Sequence, residues 1–190
     1  MSVSPNQPLQ VVLTYDDYCN LPADGQRYEL HEGEVEATPA PSPQHQRVSR
    51  ELQFLLHAHV KREKLGEVFY APIDVILSQT SVVQPDIVFV PASRREIVTA
   101  RGIEAAPELV VEILSWSTEQ NDRGWKLQLY ARYGVDHYWI LDPAARSLAE
   151  YSRTDQQYRL RATYLAPTTC RTMLFPALEL PLAEIFAEGS

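Results

Sequence analysis

Several common signatures are missing from this chain of 190 residues. Cysteine is nearly absent: Cys19 and Cys170 are the only two, and they lie too far apart for any metal-ligand spacing. Zinc ribbons and disulfide scaffolds are thereby excluded, and two reduced, structural thiols are expected, as in a cytoplasmic protein. No apolar run reaches the roughly 18 residues that a membrane-spanning helix needs. The start, MSVSPNQPLQ, has neither the basic opening nor the apolar stretch of a secretory signal. Positive charge is also scarce. With 17 Lys and Arg against 25 Asp and Glu, the formal net charge is −8. That argues against broad electrostatic affinity for nucleic acid, while leaving room for a locally basic cleft or a carboxylate-rich site around a cation. Glycine is sparse, and no repeat, low-complexity block or interdomain linker interrupts the chain.

What is present fits one domain, expected over residues 11–190, preceded by a polar, flexible start at residues 1–10. The hydrophobic share of 45% supports a packed core. TYDDYCNLP reads as a short helix capped by Thr14 and ended before Pro22. RYELHEGEVEA reads as two short strands turning at Gly33. TPAPSP must be a loop. A long helix is predicted from about Pro43 to Lys64, with Val48, Leu52, Leu55, Leu56 and Val60 as its apolar stripe and Gly66 as its stop. Strands are expected over Val68–Leu77, Val82–Val90 and Glu108–Ser115. A second helix follows, with Ser117 and Gln120 at capping-box spacing and Gly134 at its exit. HYWILD gives another strand, SLAEYSR and YRLRATY a polar-faced antiparallel hairpin, and LFPALELPLAEIF a short closing helix. This order predicts the α/β class: a mixed sheet with helices on both faces.

Three acids interrupt apolar strand candidates: Asp74 in APIDVIL, Asp86 in QPDIVFV and Glu112 in LVVEILS. Burying an unpaired carboxylate is unfavourable by several kcal/mol, so each needs a partner, a proton or a metal. Taken singly, each could equally pair with an arginine or bond a backbone group. If neighbouring strands align, Asp86 and Glu112 point into one pocket and repel. A divalent cation relieves that repulsion, and Mg²⁺ suits two carboxylates plus water. Asp122, Lys126 and Tyr130 stack along one helical face, which by itself describes an ordinary solvated salt bridge. Because this helix directly follows the strand carrying Glu112, Lys126 is placed to reach the same pocket.

Seven segments in order, YELHEGEV, HQRVSRELQFLL, APIDVIL, VVQPDIVFV, PELVVEILSWST, DRGWKLQLYARYGVDHYWILDP and LFPALELPL, resemble the Uma-type restriction endonuclease family, a branch of the PD-(D/E)xK nuclease superfamily. The resemblance implies a restriction-endonuclease-like core: a central mixed sheet flanked by helices, with an N-terminal and a C-terminal antiparallel hairpin. It also implies Mg²⁺-dependent cleavage of DNA phosphodiesters, with Mn²⁺ as a substitute ion. Asp86 then matches the first acid and Glu112 the second. The superfamily's lysine position, two residues after the second acid, is here Leu114. The related family pattern moves that lysine to the following helix, where it matches Lys126. Asp86, Glu112 and the Ile113 carbonyl would hold the ion, and Lys126 would orient water or offset charge on the phosphate. Glu29 is a candidate supporting carboxylate or an ordinary cross-strand charge, and Asp74 is a weaker case of the same kind. His45 is a candidate phosphate or water contact or a simple capping residue, and Gln84 a cross-site hydrogen bond or a ladder partner. Tyr130 shares the face of Lys126.

Phosphate contact calls for cations near the cleft, and the candidates are Arg47, Arg50, Arg94, Arg95 and Arg101. No known sequence-reading module is present, so site recognition and paired cuts would need a homodimer or a partner. Three functions stay open on the residues alone: a metal-dependent DNA endonuclease, a catalytically silent binding protein on the same fold, and a metal-dependent hydrolase of small phosphate esters.

Overall fold

The structure, a computed structural model, describes residues 11–188. The expected flexible start, residues 1–10, lies outside the described residues. Helix α1 (Tyr15–Cys19) precedes a hairpin of β1 (Arg27–His31) and β2 (Glu34–Thr38), and then the long α2 (Pro43–Glu63). Six strands follow: β3 (Gly66–Tyr70), β4 (Val75–Ser78), β5 (Ser81–Val83), β6 (Ile87–Pro91) and, after a 3-10 segment (Ala92–Ile97), the short β7 (Val98–Thr99) and β8 (Gly102–Ile103). Strand β9 (Leu109–Ile113) leads through α3 (Glu119–Arg123) and α4 (Trp125–Tyr133) into β10 (His137–Asp142). The chain closes with β11 (Ser147–Thr154), β12 (Gln157–Leu165), β13 (Thr169–Cys170), β14 (Leu180–Pro181) and α5 (Leu182–Ile185).

The central sheet has the order β12-β11-β10-β9-β6-β3. Only the β9–β10 pair is parallel, because α3 and α4 form the crossover between them. A second sheet, β2-β1-β5-β4-β8-β7, includes the N-terminal hairpin. Side chains alternate across the central sheet and so build two cores. Ile87, Phe89, Val111, Ile113, Trp139 and Leu141 pack with Val48, Leu52, Leu56 and Val60 of α2. Val88, Val90, Val110, Tyr138 and Ile140 pack instead with Leu129 and Tyr130 of α4. The fold class is the expected one, a mixed α/β protein with sheets flanked by helices.

Several local expectations are corrected. Two of the predicted strands are each split between the sheets: residues 68–77 become the end of β3 and β4, and 82–90 become β5 and β6. Pro72 and Pro85 stand at the two crossings, where a missing N–H favours leaving a ladder. Helix α2 ends at Lys64, which takes the left-handed conformation (φ 57°). Gly66 serves a different need, since a Cβ there would lie 2.1 Å from the Val90 carbonyl oxygen. The helix expected up to Gly134 is broken at Gly124, where a Cβ would meet the Gln120 carbonyl at 2.5 Å. Thr118 rather than Ser117 occupies the N-cap, and Ser117 bonds the Ser115 hydroxyl at 3.1 Å instead. The hairpin β11–β12 is polar only on β12, because most of β11 is buried.

Candidate functional site

Glu112 sits near the end of β9 on the face that meets α4. Its neighbour β6 begins with Ile87 paired to Val111, so the residue before Ile87 falls opposite Glu112. That residue is Asp86. It occupies the bend between the two sheets, one position before the strand it was expected to interrupt. Asp86 Oδ2 accepts the Ile113 N–H at 2.8 Å and lies 3.0 Å from His45 Nε2 on the first turn of α2. Ser42, the N-cap of α2, accepts the His45 N–H and fixes that turn. The two acids therefore converge from adjacent strands, and α2 adds an imidazole.

Lys126 reaches the same place and is 5% exposed. Its ammonium lies 3.1 Å from Glu29 Oε2, 3.2 Å from Glu112 Oε1 and 3.6 Å from Asp122 Oδ1. The last is an ion pair beyond hydrogen-bond range, and Asp122 Oδ1 has no hydrogen bond among the described residues. The Tyr130 hydroxyl donates to Glu112 Oε1 at 2.7 Å. Glu29, from the hairpin in the other sheet, also accepts the Gln84 N–H at 2.7 Å. Each of the two facing acids is thus held through one oxygen. Asp86 Oδ1 and Glu112 Oε2 carry no hydrogen bond among the described residues.

Charge is unbalanced here. Glu29, Glu112 and Asp122 surround a single ammonium, and Asp86 adds a fourth carboxylate that acts on Glu112. Glu112 is pushed well above the usual carboxylate range, first by burial and then by Asp122, Asp86 and Glu29, with Lys126 opposing. Asp122 rises to about 6, again chiefly by burial. Burial works against the charge on Lys126, yet Glu112, Glu29 and Asp122 together raise its affinity for the proton well above normal. Tyr130 is raised as well, by burial and the neighbouring Glu112. The ammonium is therefore a fixed cation.

The acids line a cavity of about 30 Å³, bounded by Asp86, Glu112, Ile113, His45, Asp122 and Lys126. This is room for an ion or a water, not for a substrate. Among the described residues no group of three or more His, Cys, Asp or Glu is arranged to hold a metal. A closed all-protein cage is accordingly absent. Two carboxylates with free oxygens, a small polar cavity and surplus negative charge instead fit a hard cation that keeps several waters.

Asp74, the third interrupting acid, is drawn elsewhere. It stands just before β4, and its Oδ1 accepts from Gln84 Nε2 at 2.8 Å and from the Tyr18 hydroxyl at 3.0 Å. Gln84 thus serves the site by its backbone and Asp74 by its side chain. Arg47 and Arg50 line a cleft of about 550 Å³ that has Asp86 on its wall. Arg94 and Arg95 lie beyond the far end of β6, with Arg95 3.3 Å from Glu67. Arg101 pairs with Glu104 and stacks 5.5 Å over the Tyr15 ring. Asp122 and Arg27, both lining the cavity, were not among the sequence candidates. The Asp122–Lys126 spacing was visible, but the same spacing describes any exposed helical pair.

A family model described as "Putative restriction endonuclease", Uma2, matches residues 15–183. Solved structures share the fold. One is the crystal structure of a "putative nuclease belonging to DUF820" from Anabaena variabilis, which superposes with a TM-score of 0.74. It is 20% identical, and the match covers 92% of this chain and 97% of that one. No curated protein matches.

Proposed function

The chain belongs to the Uma2 family of restriction-endonuclease-like proteins, and from that premise we propose that it is a Mg²⁺-dependent endonuclease that hydrolyses DNA phosphodiester bonds. The observation that carries this reading is the convergence of Asp86 and Glu112, each with one free oxygen, beside the buried ammonium of Lys126. Asp86, Glu112 and the Ile113 carbonyl would hold the ion, with Mn²⁺ as a substitute. Bound there, Mg²⁺ would act as a Lewis acid on the scissile phosphate and supply a hydroxide nucleophile near neutral pH.

The remaining work falls to the chain's own groups. His45 and the Ile113 N–H fix Asp86 through Oδ2 and so aim Oδ1 into the cavity. Tyr130 does the same for Glu112 through Oε1. Lys126 keeps its proton, so it cannot serve as a base. Its role is to orient the attacking water and to offset charge that builds on the phosphate oxygens. Glu29 and Asp122 hold the ammonium in place, tying the second sheet and α3 to the reaction. Cutting both strands of a duplex would require two copies, hence a homodimer.

A second reading, the nuclease fold retained as a silent binding protein, draws on the saturation of Lys126 by three carboxylates. Plasmid nicking with Mg²⁺ or Mn²⁺ separates the two. The parent is expected to nick, while Glu112→Gln and Lys126→Met, checked for folding by circular dichroism, do not. Equal activity in all three would remove the nuclease assignment.

A further inference from the structure

The acid cavity opens between two unlike grooves. The cleft of about 550 Å³ shares Arg27, Pro41 and Asp86 with the cavity, and Arg47 and Arg50 add positive charge along its wall. The groove on the other side, about 470 Å³, shares Ala40, His45 and Ser115 with the cavity. Among the described residues no lysine or arginine lines it. Its two acids, Glu119 and Asp142, share one cation, Arg123, at 3.0 Å from each, which leaves the groove with about one net negative charge and no cation free for a phosphate.

Trp116 stands at the edge of this arginine-free groove and is 99% exposed. Its turn is not loose. The Ser115 hydroxyl bonds those of Ser117 at 3.1 Å and Thr118 at 3.0 Å, and the Ser115 N–H donates to Thr118 at 3.3 Å. A pinned turn thus presents an indole that contributes nothing to either core, although aromatic side chains gain most from burial. Its ring is open to solvent, and the groove it lines joins the acid cavity through Ala40, His45 and Ser115.

We infer that Trp116 is a stacking platform for an unpaired base next to the scissile phosphate, and that the substrate is single-stranded or locally unpaired DNA. The arginine cleft then takes the phosphates and the arginine-free groove takes the uncharged base. This rests on the nuclease reading and adds the substrate class. Base stacking suits a chain of net charge −8, because it supplies affinity without the cations that a wrapped duplex demands. A base in an intact duplex is already stacked and paired, so it cannot lie on an indole without leaving its partner.

Binding is measured by anisotropy of a labelled oligodeoxynucleotide, single-stranded or annealed, with Ca²⁺ replacing Mg²⁺. The single strand is expected to bind more tightly than the duplex. Trp116→Ala should weaken single-strand binding about tenfold or more, and Trp116→Phe should restore most of it. Arg47→Ala and Arg50→Ala should instead lower the salt dependence. Equal or tighter duplex binding, or an unchanged Trp116→Ala, overturns the inference, and tighter binding of RNA overturns the assignment to DNA. Cleavage in Mg²⁺ is scored separately. A parent that cuts while Trp116→Ala binds and cuts single strands equally well keeps the nuclease reading and loses this one. A parent that binds single strands through Trp116 without cutting does the reverse.

Discussion

Two glutamates lie buried in the central sheet, and they live under opposite regimes. Glu150 on β11 is 2% exposed and accepts the Met173 N–H at 2.7 Å and the Tyr164 hydroxyl at 3.4 Å. Its partners are neutral donors, one for each oxygen, and it ties the segment after β13 to the sheet. Glu112 on β9 is 4% exposed, shares one ammonium with two other acids and faces a third across the ladder. Its second oxygen has no hydrogen bond among the described residues. Burial therefore does not mark a site. Incomplete satisfaction next to like charge does, because a structural acid is placed where its needs are met.

The contrast can be broken or sharpened by measurement. Lys126→Met should have the largest effect, destabilising the fold by about 3–5 kcal/mol in urea, since three acids lose their common counter-ion. Adding Glu29→Gln to that variant should recover part of the loss. Glu112→Gln should reduce nicking by about 100-fold or more, the scale seen when a transition-state contact is removed. Glu150→Gln should leave nicking unchanged and lower stability by about 1–3 kcal/mol. If both glutamine variants lose activity alike, the contrast is false.

Divalent cation gives the next test. A concentration of about 100 times Kd should stabilise the parent by about 2.7 kcal/mol, readable as a rise in Tm. Glu150→Gln should show the same rise and Glu112→Gln little or none. The smallest effect concerns His137, whose imidazole is depressed by burial while Glu150 and Asp136 partly hold it up. Its folded value lies below its unfolded one, so its contribution to stability is full above about pH 6.5 and is lost as pH falls through that value toward the folded pKa. In Glu150→Gln the His137 resonance should titrate at lower pH than in the parent.

Much of this was legible in the chain. Polar residues inside apolar runs flagged Asp86 and Glu112, and strand alternation was enough to expect them to meet. The helix after β9 pointed to Lys126, whose ammonium lies 3.2 Å from Glu112. Less visible was the seam between the sheets. QPDIVFV and APIDVIL read as continuous strands by hydrophobicity, while Pro85 and Pro72 held the contrary signal. Asp122 was hidden for another reason. A spacing of four carries no information about which face is covered, and only the packing of α3 against the sheet removes that side chain from water, leaving it 1% exposed. Glu150 was missed as a buried acid because its strand alone looks half polar, and the chain that meets it, at Met173 and Tyr164, comes later in the sequence.

The contact between Glu29 and Lys126 spans 97 positions along the sequence. No fragment that stops short of α4, and no intermediate in which only one sheet has formed, can assemble the charged cluster. A chain still emerging from the ribosome would carry the carboxylates without their shared cation. Any chemistry that depends on this cluster is thus withheld until both halves have closed on each other, so that completeness of folding itself gates the site.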